Sequence, residues 1–141
     1  CYALDKPLVS VSTLKSMASQ PIVKGSAPII IPVLDARRME VYAAVFDGDL
    51  NRLRDTRAEV IDEHSFKEFL GAKEVHFLGS GAKKIEDFLG HDGIFYHCDI
   101  VPSAKEMAHL SFKKFEQHHF EDVAYFEPYY LKDFMVQTKQ K

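Results

Sequence analysis

Apolar and polar positions along the chain fall into two rhythms, and the change comes near residue 64. Before it, three short apolar runs follow one another closely: "IIIPVLD", "EVYAAVF" and "AEVID". Runs of this length, rich in β-branched and aromatic residues and bounded by turn formers, read as strands. The polar stretch "DGDLNRLRDTR" separates the second from the third, and its Asp47-Gly48 is a hairpin-grade turn signal. Three strands joined by reversals make an antiparallel meander. After residue 64 strands alternate with helices. "SFKEFLG" has Ser65 and Glu68 at capping-box spacing and Gly71 as a stop. "EVHFL" is a strand, "GSG" a turn, "AKKIEDFLG" a helix closed by Gly90, and "GIFYHCDIV" a further strand. "PSAKEMAHLSFKKFEQHHF" is the last helix. Ser103 and Glu106 repeat the capping box there, and Ala108, Phe112 and Phe115, flanked by Met107 and Leu110, are its expected buried side.

Upstream, "KPLVSVSTLKSMASQ" reads as a strand from Pro7 to Val11 running into a helix. Ser12 caps that helix and Leu14, Met17 and Ala18 form its apolar side. "PIVKGSAP" is a linker, and "YFEPYYLKDF", broken by Pro128, precedes a polar tail. The order after the linker is β-β-β-α-β-α-β-α. Hairpins demand antiparallel neighbours and strand-helix-strand crossovers demand parallel ones. The predicted fold is therefore α/β, a ribonuclease-H-like mixed five-stranded sheet with flanking helices. The actin-like (ASKHA) proteins use such a lobe twice.

Composition narrows the class without naming a function. The 141 residues are 46% hydrophobic and 28% charged, as in an ordinary globular domain. A net charge of −3 argues against a free-standing nucleic-acid binder. Cys1 and Cys98 are the two cysteines and imply no disulfide framework. No signal-peptide pattern opens the chain, and no apolar run nears the roughly 20 residues of a membrane span, so a cytoplasmic location is expected. The first residue is not Met and the pattern begins in mid-course, which suggests a piece of something longer.

Two short motifs carry candidate chemistry. At the first reversal stand Asp35, Ala36, Arg37 and Arg38. An aspartate ending the first strand can hold a metal or its waters, and arginines grip phosphate in two-pronged fashion. The plainer reading is a hairpin turn whose arginines are solvated or paired with Asp35 or Glu40. A phosphate loop would want glycines here, so phosphoryl transfer is not expected. Gly79, Ser80 and Gly81 lie between a strand and a helix, with Lys83 and Lys84 close behind. Amides at such a turn can hold an anion, but every strand-helix unit needs a tight turn. The seven histidines show no metal-ligand spacing, and His97 and Cys98 point to opposite faces of a strand. No catalytic residue and no metal ligand is assigned. The aromatics from Tyr125 to Phe134 read either as an interface or as cover for the domain's own core.

Taken in order, "KPLVSVSTLKSMA", "PVLDARRMEVYAAVF", "FLGSGAKK" and "EPYYLKD" resemble the TsaB (YeaZ) family. The resemblance implies one lobe of a two-lobed actin-like fold. It divides the chain into a closing strand and connecting helix from a missing N-terminal lobe (1–24), a C-terminal lobe (25–123), and an aromatic segment with polar tail (124–141). It also implies a non-catalytic partner of a TsaD-like enzyme, working with a TsaE-like ATPase in threonylcarbamoylation of tRNA adenosine. The cofactor expectation is none on this chain, with ATP or ADP at the complex interface. Asp35, Arg37, Arg38 and the Gly79-Ser80-Gly81 turn are the expected nucleotide contacts. Tyr129, Tyr130, Leu131, Lys132 and Asp133 are the expected interface. tRNA would be met only through the complex, a homodimer is a further expectation, and no membrane contact is foreseen. Met39 and Lys132 depart from the family pattern, which commonly has Gly and Arg there. The rival readings are a lobe of an actin-like sugar kinase or ATPase, and a glycoprotease-like metallopeptidase.

Overall fold

The centre of the sheet is β1 (Ile29–Asp35), the most apolar strand of the chain and buried on both faces along most of its length. The computed structural model describes residues 1–21, 27–90 and 93–131. β1 pairs antiparallel with β2 (Glu40–Phe46), which pairs antiparallel with β3 (Arg52–Val60). On its other side β1 pairs parallel with β4 (Val75–Leu78), which pairs parallel with β5 (Ile94–His97). The order β3-β2-β1-β4-β5 is the mixed ribonuclease-H-like sheet expected from the hairpins and crossovers.

Side-chain alternation divides the interior in two. One face carries Ile31, Val33, Val41, Ala43, Val45, Val75 and Phe77, covered by Phe66 and by Ala82 and Ile85 of α2 (Ala82–Leu89). The other carries Ile30, Ala44, Phe46 and Leu78 against Leu14, Met17 and Ala18 of α1 (Thr13–Ala18). The Ser12 hydroxyl caps α1 by accepting from the Lys15 N–H at 3.4 Å, as its spacing predicts.

Four expectations are corrected. Pro7–Val11 forms no sheet strand; its backbone is taken up by the segment after α3, in a single antiparallel bridge where the Leu8 carbonyl accepts from the Glu121 amide. The polar stretch after Asp47 is mostly strand. β3 begins at Arg52, and only the loop to Asn51 is turn, held by the Asp47 carboxylate, which accepts from the Asp49 and Asn51 amides. An edge strand with a solvated outer side tolerates this polarity. The helix expected from Ser65 is a series of turns instead. Phe66 takes φ 61°, which no helix permits, and seats its ring in the core against Phe77. The Ser65 hydroxyl accepts from the Asp62 amide rather than capping a helix.

The fourth correction concerns α3 (Ala104–Glu116), which buries none of its residues. Ser103 caps it as expected, accepting from the Lys105 amide at 3.2 Å. Phe112 is nevertheless 61% exposed, and Phe115 and Met107 are exposed too. The helix packs chiefly on α1, and its apolar side is left outside the core.

Arg54 shows how the polar β3 joins the core. Its guanidinium stands 4.6 Å over the Phe66 ring and donates to Glu59 at 2.6 Å and Glu68 at 3.1 Å. Arg54 and Glu59 are both largely shielded from water, so removing one leaves the other charge uncompensated. Arg54→Ala is expected to lower unfolding free energy by about 3 kcal/mol. Urea denaturation would measure this, and a change of a few tenths would show the pair to be solvated.

Candidate functional site

The two motifs singled out in the sequence meet at one place, the C-terminal ends of β1 and β4. After Leu78 the chain must turn at once to begin α2, and it does so against β1. The Gly79 N–H donates to the His97 carbonyl at 2.9 Å, and the Gly81 N–H donates to the Val33 carbonyl at 3.2 Å. A Cβ on Gly79, at φ +113°, would lie 2.5 Å from the Val33 carbonyl oxygen and 2.4 Å from Met17 Cε. One on Gly81 would lie 2.9 Å from Val41 Cγ1. These glycines are thus required by close packing of strand, turn and helix. Between them, the Ser80 hydroxyl accepts from the Asp35 N–H at 3.1 Å and ties the turn to the first hairpin.

Lys84, near the start of α2, completes the corner. Its ammonium donates to Asp35 Oδ1 at 2.7 Å, to the Arg38 carbonyl at 2.5 Å and to the Glu40 carbonyl at 3.4 Å. The Arg37 amide donates to the same Asp35 oxygen at 2.7 Å. The Lys84 hydrogen bond first, and the Arg37 amide second, hold the Asp35 carboxyl below its ordinary range. Asp35 therefore pairs with Lys84, and neither arginine takes the role of its partner. Arg37 and Arg38 both sit in the left-handed region, at φ 69° and 48°, which is uncommon outside glycine. Both side chains are exposed. The Lys84 clamp gives a physical reason why two consecutive non-glycine residues keep this backbone.

The corner thus brings one hydroxyl and one ammonium to Asp35, and its hairpin carries two exposed arginines. Such a set favours an anion over a cation. Sequence reasoning placed Lys84 behind the turn but had no signal that it would reach a residue 49 positions earlier. The other predicted group lies elsewhere. Tyr129 and Tyr130 are highly exposed and Leu131 is half-buried, with no hydrogen bond or ion pair to the corner among the described residues. Lys132 and Asp133 lie outside the described residues. Among the described residues no group of three His, Cys, Asp or Glu side chains is placed to hold a metal. No described helix is long and apolar enough to cross a membrane.

A second feature is an open groove of about 350 Å³ lined by Pro7, Val9, Ala108, Ser111, Phe112 and Phe115. A polar knot secures its walls. The Ser10 hydroxyl donates to Glu121, and Lys114 donates to the Ser10 carbonyl at 3.0 Å and to Glu121 at 3.3 Å. The Leu8 carbonyl accepts from the Glu121 amide at 2.9 Å. The sequence hinted at this surface through the apolar side of α3, which was expected to face inward.

The sheet order, with the corner at its crossing point, defines a ribonuclease-H-like α/β fold. Over residues 1–139 the chain matches the family profile described as TsaD, tRNA N6-adenosine threonylcarbamoyltransferase, and it belongs to that family. Among solved structures it is similar to an uncharacterised protein with similarity to peptidase YEAZ from Pseudomonas aeruginosa. There the TM-score is 0.76 at 19% identity, over 93% of this chain and 62% of that one. It is also similar to YeaZ from Pseudomonas aeruginosa, with TM-score 0.71 at 19% identity, over 92% and 62% of the two chains. The fold is that of the YeaZ (TsaB) proteins, in keeping with the motifs read from the sequence. The chain spans less than two thirds of either structure. No match was found among curated proteins.

Two measurements check the corner. Gly79→Ala is expected to cost about 2 kcal/mol or more in thermal or urea unfolding, since both its φ and its neighbours reject a Cβ. Lys84→Met should raise amide exchange at Ala36, Arg37 and Glu40 several-fold without touching β4 and β5. Because the Asp35 carboxyl is held low, the clamp's contribution should be complete above about pH 4–5. It should fade only as pH falls below that range toward the depressed folded value. Exchange at these amides that is unchanged by the substitution would show that another contact fixes the hairpin.

Proposed function

We propose that this chain is a non-catalytic partner in threonylcarbamoylation of tRNA adenosine, and that it engages a TsaD-type enzyme through the groove face of α3. The observation that carries the reading is that face itself, on a chain whose family is a tRNA-modifying one. Phe112 and Phe115 are half or more exposed beside Pro7 and Val9. Large contiguous apolar surface on a folded domain marks a contact site, and aromatic anchors dominate such contacts. In this reading a TsaE-like ATPase joins the same cytoplasmic assembly, and tRNA meets the chain only within it. Self-association through the face is the competing use of the same side chains.

The test is retention of a co-expressed TsaD-type enzyme by the tagged full-length protein. Native protein is expected to retain it, and Phe112→Asp combined with Phe115→Asp should reduce retention at least tenfold with unchanged unfolding midpoint. No retention by the native protein would overturn the partnership. Equal retention by the double variant would move the contact to another surface. Light scattering of both proteins separates self-association from partner binding.

The corner supports a second reading, a contact for the phosphates of ATP or ADP at the complex interface. Arg37, Arg38 and the Ser80 hydroxyl proton supply its donors, Lys84 being committed to its three acceptors, beside the crevice where α/β sheets take ligands. Titrating ADP into the protein, alone and with its partner, should shift the amide signals of residues 35–40 and 79–84. Signals unmoved in both samples would sink this second reading.

A further inference from the structure

β4 and β5 each place a histidine on the sheet face that α1 covers. His76 is 7% exposed, and its Nδ1 lies 3.1 Å from Nε2 of the half-buried His97. The two rings are nearly parallel, at 12° with centroids 5.4 Å apart, and Phe95 stacks on His76 at 4.7 Å. His76 Nε2 is buried and has no partner among the described residues. Beside His76 in register, β1 presents Ile30 and β5 presents Phe95. α1 turns Leu14, Met17 and Ala18 to this face. The titratable groups acting on His76 are His97, across on β5, and Glu74, two positions earlier and just before β4.

Proton counting shows what this arrangement tolerates. A neutral pair has two ring protons, one of them shared in the hydrogen bond between the rings. A third proton puts N–H on both outer nitrogens, and His76 Nε2–H then lies buried without an acceptor, which is costly. A fourth sets N–H against N–H across 3.1 Å and abolishes the bond. Burial first, and His97 second, accordingly lower the proton affinity of His76, with Glu74 opposing them.

We propose that His76 and His97 form an acid-sensitive clasp, which holds the edge strand β5 on β4 while the pair is neutral and releases it when both rings must carry charge. β5 is four residues long, and among the described residues β4 is its only strand neighbour. The His97 carbonyl also accepts the Gly79 N–H, so loosening β5 loosens the turn at the corner. The sign follows from linkage. The unfolded chain protonates His76 near pH 6.5, and the closed form, which buries its Nε2 without an acceptor beside His97, binds that proton less readily. The closed form therefore loses up to about tenfold in population per pH unit as pH falls below 6.5.

Hydrogen exchange read by mass spectrometry, corrected for intrinsic rate at each pH, tests the clasp on the full chain. Between pH 6.5 and 5.5, opening of residues 94–97 and 79–81 is expected to rise about fivefold, with β1 and β2 unchanged. His76→Phe replaces the imidazole with a ring that can stack on Phe95 and takes no proton, so the rise should vanish. His97→Gln keeps a hydrogen-bonding partner for Nδ1 and removes the second charge, so the rise should weaken. This variant decides the matter if His76→Phe does not fold. No pH response in the native protein, or one of equal size in the variants, would overturn the proposal.

Discussion

The approach of the Gly79–Gly81 backbone to β1 is the contact on which the rest of the structure depends. Two consecutive parallel strands cannot be joined by a tight hairpin, so the chain must leave one and cross back, as it does through α2 between β4 and β5. Here the exit is so tight that the Val33 carbonyl accepts from Gly81 while lying 2.5 Å from where a Gly79 Cβ would be. That contact fixes where α2 begins, and hence that Ile85 enters the core while Lys84, one residue earlier, reaches the hairpin. A side chain at Gly79 would push α2 outward, and the lysine would lose its three acceptors together.

The corner and the groove differ in how they are built. The corner is closed by its own partners, with carboxylate, ammonium and carbonyls satisfying one another. The groove has its polar groups tied into the Ser10–Lys114–Glu121 knot and leaves its apolar side chains exposed. Satisfied polar groups give a surface a fixed shape, and unsatisfied apolar area gives it a driving force for contact. The groove has both, and the corner has mainly the first.

Much of the fold was legible from pattern alone, because strands buried on both faces give continuous apolar runs and turns need particular residues. "IIIPVLD", the Gly79-Ser80-Gly81 turn and the Gly90 stop each state a local requirement that only a few residues meet. The failures came where tertiary contacts outweighed local preference. Ser65 and Glu68 have helix-start spacing, yet Phe66 leaves the helical region to reach Phe77, and Glu68 turns to Arg54. The amphipathic pattern of α3 correctly gave a helix, but a pattern shows that a face is apolar without showing what lies opposite it. The Lys84–Asp35 pair and the His76–His97 pair join residues far apart in sequence and of unremarkable types, so no local spacing could reveal them. At the corner, the aspartate, arginines and glycines were legible as candidates. Their mutual arrangement was not.

The exposed face of α3 has a consequence for how substitutions would distribute across this chain. Residues such as Ile31 or Phe77 answer to the stability of the sheet, so selection for folding alone constrains them. Phe112 and Phe115 leave half or more of their surface outside the core, and folding constrains them far less. A mutational scan read out by abundance would score these two positions as permissive, whereas one read out by biological activity would not. The difference between the two maps would trace the outline of whatever α3 meets, without that molecule having to be known beforehand.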